Sequence, residues 1–417
     1  MAPKILLATS VSWTSVARLA GAFAEAGCLV GALAPRGALV TTSRYVARTH
    51  RYQPLAAIES LRMAIGASHP DLVVPCDDRA VSDLLDLYSA ANRAEPAAAS
   101  IIRRSLGNPE NYARIASRSA FIAAARKLGI AALETIPIAS EQELDSCLMQ
   151  IGYPAVLKAD GSWGGEGVAI VRNHDEAVAG FRRLSNLSSR WRNFMRAVRR
   201  KDSSCLSALR APQRHAISVQ RFVAGKQATG AFAVWQGKVI ASLHMDVLVA
   251  YETTGPASVV QRIEDRDMEE AARLLAQKFQ LSGLHGLDFI RDEKGKVHLI
   301  EMNPRGVQAS YLPFGPTHDL AAALAACIAP SEAVTRPAIT ADTVAFFPSE
   351  WRRDPASPYL VDGYHDVPWD DPALLRACMG FPGVTRAAAA AMEFGVPGPA
   401  APNPSFKATF APARHTS

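Results

Sequence analysis

The run GLDFIRDEKGKVHLIEMNPR, Gly286 to Arg305, places two carboxylates and an amide at intervals that can converge. Leu287 to Arg291 reads as a strand, Asp292 to Lys296 as a hairpin turn around Gly295, and Val297 to Met302 as the partner strand. Asp288 and Glu301 then fall on paired strands and can face the same side. Asn303, two residues beyond Glu301, shares that face. Two carboxylates and an amide oxygen are hard ligands suited to Mg²⁺ (or Mn²⁺) bridging phosphates. Facing carboxylates repel, and a cation resolves the repulsion. Arg305 follows in the same loop. The alternative is two unrelated surface acids on a hairpin.

A second candidate lies upstream in YPAVLKADGSWGGEGVAIV, Tyr153 to Val171. Ala155 to Lys158 reads as a strand ending on a lysine, and Val168 to Val171 as a returning strand. Between them run Gly161, Gly164, Gly165 and Gly167. Glycines let backbone amides approach phosphate oxygens and let a flap open. Lys158 would set its ammonium on the α- and β-phosphates. No GxxxxGK[ST] occurs and the loop precedes a strand, so this is no P-loop. A glycine-rich hairpin with an incidental lysine is the competing reading. A third segment, SVQRFVAGKQAT, reads as an edge strand Val219 to Val223 with a turn at Ala224-Gly225-Lys226. Such a strand can offer its backbone to an adenine edge, or be an ordinary strand and turn.

In this order the three segments resemble the ATP-grasp superfamily, nearest its carboxylate–amine ligase and carbamoyl-phosphate-synthetase-like branch. The resemblance spans roughly residues 1 to 330. VLKADGSWGGEGV looks like the family's lysine and glycine-rich loop, with Gly164, Gly165 and Gly167 on the phosphates; GLDFI and LIEMNPR look like its metal-binding strands. It implies ATP and Mg²⁺ as cofactors and Asp288, Glu301 and Asn303 as metal ligands. It also implies Lys158 on phosphate and Gln220 through Val223, including Phe222, as the adenine-facing hinge. Three positions depart from the family. Arg118 stands where a phosphate-binding lysine is common, Gln220 where the hinge often has Glu, and Gln227 where an acid holds the ribose hydroxyls.

The implied chemistry is that of a ligase. A substrate carboxylate attacks the γ-phosphate, ADP leaves, and an amine or other nucleophile displaces phosphate from the acyl phosphate. Such transfer asks for position and positive charge, here from Mg²⁺, Lys158 and Arg305. The partners are small molecules, a carboxylate and a nucleophile; neither nucleic acid nor membrane is expected. His244, Asp246, His285, Gln308 and Tyr311 are candidates for the acceptor pocket. A small-molecule kinase and a non-catalytic ATP-binding regulator are the alternatives.

The elements that position these residues read as α/β followed by α+β. Lys4 to Ala8, Cys28 to Leu33 and Leu72 to Pro75 read as strands, with helices Ser15 to Ala26 and Leu55 to Gly66 between them. That order implies a parallel, Rossmann-like sheet, but no GxGxxG follows the first strand. Asp77 or Asp78 sits where such sheets place ligands, or caps the next helix. Asn108 to Gly129 reads as one helix, and Ser140 to Gln150 as another opened by a Ser140–Glu143 capping box. The basic run between Arg182 and Arg214 reads as one or two helices. The expected division is a pre-ATP-grasp domain at 1–107, an ATP-grasp domain at 108–330 and an extension at 331–417. Within the second, a flap lobe covers about 130–223 and a large lobe about 224–330. In the extension, TVAFFPSEW could complete the large lobe, and YLVDGYHDVPWDDP could cap the site or join two copies as a homodimer. The tail after Pro397 reads as flexible.

Composition is that of a soluble globular protein. The 417 residues are 49% hydrophobic and 20% charged, with a net charge of +6 that could suit nucleic acid and equally suits nucleotides and anionic metabolites. Six cysteines without a CxxC pair indicate neither a zinc site nor a disulfide framework. MAPKILLATS lacks the pattern of a signal peptide, and no run of about 20 apolar residues occurs, so a cytoplasmic location is expected.

Overall fold

The computed structural model describes residues 2–91, 95–160, 167–186, 216–251, 255–330 and 334–380. Strands β1 (Lys4–Ala8), β2 (Leu29–Ala34), β3 (Val46–Arg51) and β4 (Leu72–Pro75) form a parallel sheet in the order β3-β2-β1-β4. The sequence reading found three of these. It missed β3 because VARTHR alternates no apolar residues: it is a polar edge strand, exposed along most of its length. The helices Thr14–Glu25 and Ala57–Ser68 fall within a few residues of expectation. Asp77 caps the helix Asp78–Ala91, its Oδ1 accepting from the Ala80 N–H at 2.9 Å. It also accepts from the Ser10 N–H and the Thr9 hydroxyl, tying the end of β4 to the end of β1.

The expected helix from Asn108 to Gly129 is broken. Ser117 is extended (φ −87°, ψ 105°) and its hydroxyl accepts from the Ala120 N–H, so a short helix Tyr112–Ala116 ends and a second, Arg118–Lys127, begins. Serine competes with helix continuation through this local bond, and the break puts Arg118 in a first turn. Downstream, Ser140 caps the helix Glu141–Ile151 as expected, while the Glu143 carboxylate reaches the Ala139 N–H.

Strands β5 (Thr135–Ile138), β6 (Ala155–Ala159), β7 (Val168–Val171) and β8 (Ile217–Arg221) make a small antiparallel sheet, ordered β5-β8-β6-β7. One face packs on the helices Glu141–Ile151 and His174–Ser185 through Leu144, Leu148, Leu157, Val219 and Phe181. The reading of Val219 to Val223 as an edge strand is corrected. β8 lies between β5 and β6, and it ends at Arg221, leaving Phe222 and Val223 in the connection that follows.

The largest sheet has seven strands. These are β9 (Gly225–Trp235), β10 (Lys238–Ala250), β11 (Ala257–Ile263), β12 (Gly283–Asp292), β13 (Val297–Asn303), β14 (Thr343–Phe346) and β15 (Tyr364–Asp366), in the order β13-β12-β9-β10-β11-β14-β15. TVAF thus adds a strand to this sheet, as expected, and the YHD of YLVDGYHD adds another. Two hydrophobic cores run across both the first sheet and this one. One holds Leu7, Phe23, Leu243, Met245 and Leu324; the other holds Leu6, Leu84, Phe232, Phe279 and Phe289. No helix among the described residues is long and apolar enough to cross a membrane.

Candidate active site

The β12–β13 hairpin carries the acidic pair. Its turn is held by Asp292, whose Oδ1 accepts from the N–H groups of Lys294 and Lys296, and by Gly295 at φ +81°. From that turn the register runs Arg291 opposite Val297, Ile290 opposite His298 and Phe289 opposite Leu299. It then shifts: Asp288 lies opposite Glu301, with Ile300 as the extra residue of a bulge. A regular ladder would place Ile300 opposite Asp288 and turn Glu301 to the other face. The bulge lets Leu299 and Met302 both enter the core while Glu301 and Asn303 point with Asp288.

Asp288 accepts from the Thr229 hydroxyl at 3.0 Å and from the Asn303 amide at 2.9 Å. Burial, together with the charge of Glu301, raises its carboxyl above the ordinary range. Burial pushes Glu301 the same way, but the Arg118 and Lys158 charges outweigh it and hold that carboxyl low. Arg118 bridges Glu301 and Asp160, at 3.0 Å to each. The Lys158 ammonium stands 3.9 Å from Glu301 and is 5% exposed; burial lowers it to about 8 against the opposing charge of Glu301. Lys158 reaches in from the small sheet, Glu301 from the large one, and Arg118 from the helix leading into the small sheet. Three elements distant in sequence thus meet at one cluster.

Arg305 lies beside this set. Its guanidinium donates to Asn303 Oδ1 at 3.1 Å, pairs with Asp78 at 3.1 Å and stacks 5.5 Å from the Trp13 ring centroid. The first sheet therefore contributes to the site from the carboxyl ends of β1 and β4, where open α/β sheets place ligands. Neither Thr229, Asp160 nor Trp13 was singled out from sequence. Each is an ordinary residue type whose partner is far away along the chain.

Gln220 is buried, and its amide donates to the Thr135 hydroxyl at 2.9 Å and to the Ile300 carbonyl at 3.2 Å. Its side chain thus ties the small sheet to the bulge of the large one. Gln227 lies on β9 two residues before Thr229, on the face that carries Asp288. Phe222 lines a groove of about 420 Å³ with Tyr153, Pro154, Ile170 and Arg172. Ile170 is the cross-strand neighbour of Val156, itself paired with Gln220, so the groove opens on the same face as Lys158. Val223 is half-buried in the connection to β9. Gly167 is buried, its carbonyl accepting from the Ala159 N–H at 2.9 Å. Gly161, Gly164 and Gly165, and most of the basic run ending at Arg214, lie outside the described residues.

Three acceptor candidates are not at this site. Asp288 pairs through Thr229 with Met245, whereas His244, Asp246 and His285 belong to the alternate set that faces the helix Arg266–Phe279. Asp246 pairs with Arg291 at 3.1 Å, and His285 packs against the Phe232 ring. The Tyr311 hydroxyl is bonded to Asp366. Gln308 follows the Arg305 loop and is half-buried.

Among the described residues no three His, Cys, Asp or Glu side chains are grouped to hold a metal. The set here is two carboxylates and an amide, a donor set that fits Mg²⁺ sharing its shell with phosphates.

Residues 125–309 match the family model of an ATP-grasp domain. Nothing among curated proteins matches the chain. Among solved structures it is similar to the biotin carboxylase domain of Hydrogenobacter thermophilus 2-oxoglutarate carboxylase, in complex with MgADP and bicarbonate. That match has 17% identity and a TM-score of 0.53, covering 74% of this chain and 65% of that one. Carboxyaminoimidazole ribonucleotide synthase from Aspergillus clavatus, complexed with ATP, is 14% identical with a TM-score of 0.57, covering 81% and 80%. Biotin carboxylase from Campylobacter jejuni is 13% identical with a TM-score of 0.54, covering 81% and 72%. At these identities the likeness is one of fold. Residues 125–309 match an ATP-grasp domain, and the fold around them is like that of these solved structures.

Proposed function

We propose that this chain is an ATP-dependent ligase of the carboxylate–amine class, activating a carboxylate as an acyl phosphate for attack by an amine or another nucleophile. One observation carries the reading. Lys158 from the small sheet and the Asp288–Glu301–Asn303 set from the large sheet face one another, 3.9 Å apart at Lys158 and Glu301. A lysine opposite paired acids across two sheets is an arrangement for a polyanion that brings its own cation.

Asp288, Glu301 and Asn303 would hold Mg²⁺, which when bound offsets the charge on the phosphates. Lys158 and Arg118 bind phosphate oxygens, Arg118 exchanging its contact with Glu301 for one with the nucleotide. Gln220 fixes the end of β8 and the connection of Phe222 and Val223 after it, whose backbone meets the adenine edge, and Gln227 lies toward the ribose. Gly167, where the glycine-rich segment returns to β7, would offer its backbone to the phosphates. Arg305, oriented by Asp78 and Asn303, holds the γ-phosphate and the acyl-phosphate oxygens. Phosphoryl transfer demands mainly such positioning and charge. The support for amine ligation is the ATP-grasp domain itself and the carboxylase and synthase folds it resembles.

The test is a panel of carboxylates and amines with ATP and Mg²⁺, followed by ADP release and mass detection. Release of ADP and phosphate that requires both substrates is the expected result. A stable phosphorylated product would mean a kinase instead, and absence of nucleotide binding by calorimetry would end the reading.

A further inference from the structure

Ser218 lies on β8 directly opposite Lys158 on β6. The neighbouring pair, Val219 and Leu157, enters the core on the helical side, so Ser218 and Lys158 share the face turned toward the large sheet. Ser218 is 3% exposed, and its hydroxyl has no hydrogen-bond partner. Interiors pair such groups almost without exception, because an unmade bond leaves the whole desolvation cost in place. Two further groups nearby are also under-satisfied. The Arg118 Nε is buried without a partner, and the Lys158 ammonium lies 3.9 Å from Glu301, beyond a good hydrogen bond. A hydroxyl, one N–H of a guanidinium and an ammonium are each left with donor capacity that an anionic oxygen would take up.

We propose that Ser218 is a phosphate-binding residue, donating from its hydroxyl to a polyphosphate oxygen that Lys158 also holds. Cross-strand neighbours stand about 4.5–5.5 Å apart at Cβ, so one oxygen between them can accept from both. The position along the sheet selects the phosphates over the base. Gln220, two residues on, marks the end nearer the connection of Phe222 and Val223, while Lys158 marks the end from which the glycine-rich segment departs. In the structure as it stands, Arg118 spans from Asp160 to Glu301 across this corner. The proposal rests on the reading of the cleft as an ATP site, and its test separates the two.

Calorimetric titration of wild type and Ser218→Ala with adenosine, AMP, ADP and a non-hydrolysable ATP analogue, each with Mg²⁺, reads the effect. Thermal unfolding without nucleotide accompanies it. The expected pattern is about ten-fold weaker binding of ADP and the ATP analogue, with adenosine unchanged, since a charge-assisted bond is lost only where phosphate is present. Ser218→Thr, which keeps the hydroxyl, should recover most of the affinity. Without nucleotide, Ser218→Ala should unfold at the wild-type temperature or above it, because the substitution removes an unsatisfied donor. Equal polyphosphate affinity in Ser218→Ala and wild type overturns the proposal. So does a loss shared equally by adenosine, or a lower unfolding temperature, either of which marks a packing role. Wild type that binds none of the four ligands overturns the ATP site as well.

Discussion

Glu301 is where charges from three elements meet, and it is the most informative single residue. Its carboxylate faces Arg118, Lys158 and Asp288, so its replacement changes charge balance more than volume. Glu301→Gln keeps the shape, keeps an acceptor for Arg118 and removes the negative charge. The expected outcome is an intact fold with turnover reduced about 100- to 1,000-fold, the scale on which removing one preorganised electrostatic group acts. Steady-state ADP release with substrates, beside a circular dichroism spectrum, checks it. Wild-type turnover in this variant would remove Glu301 from the metal site. Arg118 shows how a departure from family pattern is absorbed. A guanidinium can bridge two carboxylates in a fork that an ammonium cannot match, and it does so between Asp160 and Glu301.

At the scale of elements, the small sheet and the β12–β13 hairpin must hold a common register. Two contacts do this. The segment Ala131–Leu133 bonds to Leu299 of β13 through the Leu299 N–H and carbonyl, and Gln220 of β8 bonds to the bulged Ile300 carbonyl. Gln220→Leu keeps the volume and orphans the Ile300 carbonyl, while the Thr135 hydroxyl keeps its bond to the Leu133 carbonyl. The expected cost is about 1–3 kcal/mol of stability, the penalty for buried groups left unpaired, read as a lower urea midpoint with unchanged m-value. Nucleotide affinity should fall as well, because the connection of Phe222 and Val223 loses its anchor. A variant as stable as wild type would show that the backbone bridge alone holds the two sheets.

The whole molecule is fastened where the last strand returns to the first helix. Asp366 of β15 is 1% exposed; it pairs with Arg18 of the helix Thr14–Glu25 at 2.7 Å and accepts from the Tyr311 hydroxyl, while Arg18 stacks over the Tyr311 ring at 5.5 Å. Arg336 pairs with Asp319 and Glu25 nearby, and Tyr45 bonds Asp370. YLVDGYHDVPWDDP thus packs on the first sheet and its helix. Asp366→Ala leaves the half-buried Arg18 with only the longer 3.7 Å pair to Asp370, which is expected to cost about 3 kcal/mol. Because both cores cross from the first sheet to the largest, that loss should appear in one shared unfolding transition. Chemical denaturation followed by tryptophan fluorescence and by circular dichroism checks this. Two separated transitions would mean that the sheets unfold independently.

Much of this was legible in the residues themselves. The apolar runs KILLA and LVVP are strands at the expected bounds, and LIEMNPR and VLKADG carry residue types that report their chemistry wherever they are placed. Periodicity and composition are local properties, and they suffice for local elements. The polar edge strand β3 and the break at Ser117 escaped because their causes are a neighbouring strand and a single side-chain bond. The acceptor candidates His244, Asp246 and His285 were misplaced because sequence does not state which face of a sheet a residue takes. Glu301 was expected beside Asp288 and lies there, but through a bulge that the sequence does not announce. Counting back from the Asp292–Lys296 turn along a regular ladder sends Glu301 to the wrong face. The bulge at Ile300 corrects it, and what holds that bulge is Gln220, eighty residues upstream, together with the burial of Leu299 and Met302 on one side. The amino-acid sequence alone determined which groups were candidates for phosphate and metal. Tertiary structure decided that they face one another, because the register that aligns them is set by contacts between strands that the chain order keeps far apart.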